Sequence, residues 1–140
     1  MPQITITSNV GLVRQGLQDL EAEIPKIGRR KIYDMVNRIT REMEGYPSER
    51  PNQTYVRTGN YGASWKVGSL DDGYQVSNNV TFKGRAYAKY VGGDAYGLSQ
   101  AWMHAGRWPL FRDVVEKEVV KLPQEIANEI DLVARRVFSK

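Results

Sequence analysis

At 140 residues, with 41% hydrophobic and 26% charged residues and a formal net charge of +4, the chain has the size of one ordinary domain. It contains no cysteine, which excludes a disulfide scaffold or a cysteine-ligated zinc site, and no stretch approaches the roughly 18 apolar residues that span a bilayer. A pI near 9.4 permits contact with nucleic acid without requiring it, because strong binders gather their charge on one face.

Met1–Thr7 has neither a basic region nor a long apolar run, so it is not expected to be a signal peptide, and the protein is expected to be soluble and made in the cytoplasm. Gln3–Thr7 alternates about Ile4 and Ile6 and predicts a short strand, with Ser8 or Asn9 as the cap of a following helix. From there Val13, Leu17, Leu20, Ile24 and Ile27 recur at helical spacing and predict a stripe packed into a core. Pro25 removes a donor and clashes with the Glu21 carbonyl, and the stripe resumes out of phase at Ile32, Val36, Ile39 and Met43. The pattern predicts a helix from about 9 to 44, bent or restarted near 25 to 28.

The segment after that proline carries Lys26, Arg29, Arg30 and Lys31, a candidate DNA-facing cluster. Its plainer reading is a solvated helix face, since Glu21, Glu23 and Asp34 dilute the charge. Residues 45 to 58 hold Pro47, Pro51 and several turn formers and predict a long loop. Tyr46, Arg50 and Tyr55 in that loop are candidate contact residues, because Tyr and Arg concentrate at interface centres.

In Arg57–Thr58–Gly59 the threonine can bond nearby N–H groups and the glycine can take a positive φ. A short helical segment follows, and then Trp65–Val67 and Tyr74–Val76 alternate about Leu70–Gly73 as a hairpin. Asn78–Arg85 predicts a third strand edge or an extended connector, and Ala86–Val91 a short helical turn. Gly92–Gly97 lacks the Gly-Lys-Ser/Thr ending of a phosphate loop, which excludes a nucleotide site there.

Gln100–Pro109 brings together Trp102, His104, Arg107 and Trp108 and is the strongest candidate for a binding or catalytic patch, expected as a strand or extended turn. Trp102 and Trp108 are expected to cover the sheet or a subunit contact, and a lone histidine beside aromatics is more often packed than catalytic. Pro109–Phe138 repeats Val115, Val119, Leu122, Ile126, Ile130, Val133 and Val137 as a helix, interrupted at Pro123, with Glu116, Lys117, Glu118 and Lys121 on its polar side. The fold class predicted is α+β: a small antiparallel sheet packed against a long kinked N-terminal helix and a long kinked C-terminal helix, in one domain spanning 1–140.

The run Arg57-Thr58-Gly59-Asn60 with Ser64-Trp65, then a strand pair, then Tyr87-Ala88-Lys89-Tyr90-Val91-Gly92-Gly93, resembles the tail-completion (neck, head–tail joining, minor tail) proteins of long-tailed bacteriophages. In element order the resemblance covers roughly residues 10 to 138. The chain departs from the family pattern with Gly92-Gly93-Asp94 after the second word and with Trp108-Pro109-Leu110-Phe111 before the last helix. The resemblance implies a virion structural protein of the neck or tail, assembled in the host cytoplasm. It implies a homo-oligomeric ring, often a hexamer, between the head connector and the tail tube.

No paired carboxylates, activated nucleophile or metal cluster is visible in the chain, so no enzyme, cofactor or metal is expected. Asp94, His104 and Asp113 are the one set that could converge as a nuclease-like site. The alternative to a structural role is a basic nucleic-acid-binding α+β module resting on the Lys26–Lys31 cluster.

Overall fold

In a computed structural model, residues 10–53 and 57–139 are described; the strand expected at Gln3–Thr7, its neighbouring cap and Tyr55 lie outside them. The element order is α1 (Val10–Glu44), α2 (Asn60–Ala63), β1 (Trp65–Leu70), β2 (Gly73–Asn78), β3 (Thr81–Phe82), β4 (Arg85–Ala86), α3 (Ala88–Gly92) and α4 (Phe111–Phe138). The class is α+β, with long first and last helices and a small antiparallel sheet. By contacts the chain divides into two compact units, Met1–Lys31 with Pro123–Lys140, and Ile32–Leu122.

In the first unit, α1 up to Lys31 and α4 from Pro123 pair with opposite sense. Gly16 meets Phe138, and Arg30 and Lys31 meet Glu129. A Cβ at Gly16 would collide with the Phe138 ring, so glycine is what lets these helices approach there. Among the described residues of this unit Ile27 (0% exposed) and Val133 are the buried apolar side chains. Of the rest of the expected core stripe Leu20 is half-buried, while Val13, Leu17 and Ile24 are exposed; Leu12, Leu132 and Phe138, outside that stripe, are exposed too. Two helices bury only the faces turned toward each other, and here the apolar positions outnumber that shared face.

Pro25 lies inside continuous helix, so α1 is the single helix expected from about 9 to 44, and Pro123 likewise lies inside continuous α4 without a break. Both prolines are exposed, which leaves the carbonyls of Glu21 and Val119, four residues earlier, on a side where water can replace the lost N–H partner.

In the second unit the β1–β2 hairpin pairs Trp65 with Asn78 and Val67 with Val76, turning through Asp71 and Asp72 as the sequence predicts. Trp65, Val67, Tyr74 and Val76 pack on Met35, Val36, Ile39 and Met43 of α1 and Val114 of α4. Met43 is fully buried. The segment 81–86, left open between strand and connector, is a second two-stranded ribbon, Thr81 opposite Ala86 and Phe82 opposite Arg85. The helix expected from Pro109 begins at Phe111, with Leu110 as its first carbonyl acceptor, bonded from the Val114 N–H at 3.1 Å.

The polar-side assignment of Glu118 is corrected. The residue is buried, and its carboxylate accepts a hydrogen bond from Arg38 Nε at 2.9 Å. With the sheet filling one side of α1, Arg38 and Glu118 are drawn into the seam between the helices, whereas Lys117 makes the more exposed pair with Glu42 at 2.6 Å.

Candidate functional site

The site is built from three irregular segments of the second unit. The first is the loop after α1. Tyr46 is half-buried, and its hydroxyl accepts a hydrogen bond from the Gly62 N–H at 2.9 Å. The Tyr46 ring lies edge-on to Trp108 at 5.1 Å and stacks toward Tyr61 at 6.4 Å. The second segment is the Arg57–Gly59 turn, where Thr58 Oγ1 accepts from the Asn60 N–H at 3.3 Å and Gly59 takes φ 81°, both as the sequence predicts.

The third is 100–108. Trp102–His104 is neither strand nor extended: the His104 N–H bonds the Ala101 carbonyl, and the Arg107 and Trp108 N–H groups both bond the His104 carbonyl. These successive tight turns close at Gly106 with φ 76°. Gln100 Nε2 ties the turns down by donating to the carbonyls of Val91 (2.8 Å) and Trp108 (3.2 Å). The result separates the two tryptophans. Trp108 is 8% exposed and belongs to the core cluster with Tyr61, Val80 and Val91, so its contacts are within the chain. Trp102 is 83% exposed.

Three guanidinium groups staple these segments together, each donating to a backbone carbonyl. Arg57 Nη1 bonds Pro47, Arg107 Nη2 bonds Ser48 at 2.9 Å, and Arg50 Nη2 bonds Met103 at 3.0 Å. Arg57 also lies over the rings of Tyr46 (5.7 Å) and Trp108 (5.3 Å), a geometry in which the ring quadrupole attracts the cation. Among the described residues none of these arginines forms an ion pair, and the adjacent Glu49 is exposed and bonds none of them.

Beside the stapled segments is a cavity of about 750 Å³, lined chiefly by Tyr46, Phe82, Tyr87, Tyr90 and Trp108, with Arg57 and His104 as its polar wall. A smaller recess of about 210 Å³ adjoins it, sharing Met103 and His104 and adding Arg50 and Arg107. Among the described residues neither is lined by a carboxylate. Within the wall, Arg57 Nε and Nη2, His104 Nδ1 and Trp108 Nε1 are buried without a hydrogen-bond partner among the described residues. Burial lowers the His104 pKa below the usual imidazole range, and the Arg107 and Arg50 charges push it further the same way. Burial raises the Tyr61 phenol to about 12, so it is neutral throughout the physiological range.

The other candidates are placed elsewhere. Lys26 pairs with Glu23 at 3.5 Å, and Arg30 and Lys31 share Glu129 at 2.6 and 4.0 Å; Arg29 also has an interaction. This cluster is therefore largely compensated. Asp94, His104 and Asp113 have unrelated settings. Asp94 accepts from the Tyr96 and Leu98 N–H groups and from Ser99 Oγ, His104 lies edge-on to Trp108 at 5.7 Å, and Asp113 faces Arg112 at 3.8 Å. Among the described residues there is no group of three potential metal ligands, and no helix is long and apolar enough to cross a membrane.

The chain matches no known protein family, characterised protein or solved structure with which it was compared. Its function is therefore argued from its own residues. Sequence reasoning picked out Arg50, His104 and the tryptophan word but read Arg57 only as the start of a turn. Arg57 and Arg107 are 50 positions apart, and nothing in local spacing says that both reach the same loop.

Proposed function

We propose that this chain is a virion structural protein, a tail-completion or neck subunit that assembles into a homo-oligomeric ring joining the tail tube to the head connector. The observation that carries the proposal is the apolar surface left open on the helix pair of the first unit. Leu12 (69% exposed), Val13, Leu17 (56%) and Ile24 on α1 recur at near-helical spacing. A repeated apolar face on a polar chain is what a self-associating subunit presents before assembly. The sequence resemblance supplies the specific role and the two partners.

The reading as a basic nucleic-acid module draws less support, because the Lys26–Lys31 charges are spent largely on Glu23 and Glu129. The test is light scattering across protein concentration, with negative-stain imaging of the largest species, for the wild type and for Leu17→Asp. Mass that rises with concentration into rings is expected for the wild type. The variant should keep the wild-type circular dichroism spectrum and remain monomeric. A wild type that stays monomeric at every concentration, indistinguishable from Leu17→Asp, would refute the self-association on which the proposal depends.

A further inference from the structure

We infer that the aromatic cavity and the adjoining arginine recess of the second unit form a docking site for a polypeptide segment of a partner, one that carries a bulky apolar side chain flanked by carboxylates. The inference rests on the assembly reading above only in taking the occupant to be a protein. The chemistry comes from the site.

The larger cavity, about 750 Å³, lies within the range of roughly 300–1,000 Å³ that binding pockets occupy, and its walls are rings. It can take an aromatic or branched aliphatic side chain but offers few groups to orient a polar one. The recess beside it is opposite in character. Arg50 and Arg107 line it, Arg57 stands at the cavity wall, and among the described residues no carboxylate lines either space. Each guanidinium has five N–H donors, and each is seen to commit one of its nitrogens to a backbone carbonyl. A carbonyl dipole fixes the position of a guanidinium without cancelling its charge. Arg50 and Arg107 thus remain for an external anion in the recess, and Arg57, buried at the cavity wall, adds its positive charge beside them.

Carboxylates match this arrangement better than a nucleic-acid backbone. A strand of phosphates is held by a groove of cations that tracks it. Here the arginines are gathered at one spot beside an apolar hole, and the other basic cluster is largely paired with carboxylates. A planar guanidinium also matches a carboxylate in a two-point bond.

The test is isothermal titration of the full chain with three capped tripeptides and a short single-stranded thymidine oligonucleotide. The peptides are acetyl-Asp-Trp-Glu-amide, its neutral counterpart acetyl-Asn-Trp-Gln-amide, and acetyl-Lys-Trp-Lys-amide. The acidic peptide should bind about tenfold tighter than the neutral one, and the basic peptide should not bind. Arg50→Gln and Arg107→Gln should each weaken the acidic peptide far more than the neutral one, removing most of the preference between them, and Arg107→Lys should keep part of it. Phe82→Ala, at the exposed side of the cavity, should weaken the acidic and neutral peptides together.

Equal binding of the acidic and neutral peptides, binding of neither at millimolar concentration, or tighter binding of the oligonucleotide would overturn the inference. A chain that prefers the acidic peptide but forms no ring would leave this site standing and remove the assembly reading. Rings without the peptide preference would do the reverse.

Discussion

Replacing Glu118 with glutamine removes one charge from a nearly buried ion pair while keeping its shape and an acceptor oxygen. Glu118 Oε2 lies 2.9 Å from Arg38 Nε, and Oε1 lies 3.4 Å from Lys121 Nζ. At 2.9 Å and an effective dielectric near 20, the gross attraction to Arg38 is about 6 kcal/mol. Withdrawing a carboxylate from water costs several kcal/mol, and Arg38 keeps 36% of its side chain in solvent, so screening takes a further share. The net loss expected for Glu118→Gln at neutral pH is about 1–3 kcal/mol. Burial pushes the Glu118 carboxyl upward, but hydrogen bonds from Arg38 and Lys121 outweigh it and hold the group below the ordinary glutamate value. A depressed folded value means that the stabilisation is present above the unfolded value, about 4.3, and is lost as pH falls through the folded one. The gap between wild type and variant should be constant from neutral pH to about 5 and close below about 4. Urea unfolding followed by circular dichroism across that range measures it. A variant as stable as the wild type at neutral pH, or a gap that widens on acidification, would refute the reasoning.

Two further substitutions probe the scaffold of the site. A Cβ on Gly92 would sit 2.6 Å from the Tyr61 hydroxyl and 3.0 Å from Met43 Cε. Gly92→Ala should therefore cost about 1–3 kcal/mol in thermal unfolding, and adding Tyr61→Phe should recover part of it by removing the oxygen the methyl meets. Asp94 organises the 94–99 loop by accepting three hydrogen bonds, and the one from Leu98, with those from Ser99 and Tyr96 and the Lys89 charge, holds its carboxyl below the ordinary range against the opposing effect of desolvation. Asp94→Ala should speed protease cleavage within residues 95–99, and acidifying the wild type through the carboxylate range should do the same; cleavage unchanged by either would contradict that role.

The parts of the fold legible in the sequence were those set by local chemistry. Leu70–Gly73 between alternating strands marks a hairpin, Thr58 and Gly59 mark a turn, and long periodic runs mark the two helices. What periodicity cannot say is which neighbour covers a stripe. Val36, Ile39 and Met43 read the same as Val13, Leu17 and Ile24 in sequence, yet the first three are covered by the sheet and α4 while the second three are exposed. Glu118 misled for the same reason, since its partner Arg38 lies 80 positions away. At the site, Trp102 and Trp108 looked alike in one word, and the chain of turns through His104 sends them to different environments.

The distribution of charge separates the two surfaces that the chain offers. At Lys26–Lys31 the basic side chains meet carboxylates, Lys26 with Glu23 and Arg30 and Lys31 sharing Glu129, so much of their charge is offset within a few ångströms. At Arg50, Arg57 and Arg107 the partners are backbone carbonyls, and three full charges persist although every guanidinium is anchored. The sequence places more cations in the first group, but the structure concentrates the uncompensated ones in the second. An acidic partner is therefore steered toward the arginine recess and its aromatic cavity. The exposed leucine, valine and isoleucine side chains of α1 have no charge to satisfy and gain most from burial against another apolar face. On the proposed reading, a subunit that associates with its own copies and recognises a different protein needs two surfaces that do not compete for the same partner. One apolar helix face and one arginine-lined aromatic cavity meet that requirement, because the chemistry that fills either is poorly suited to the other.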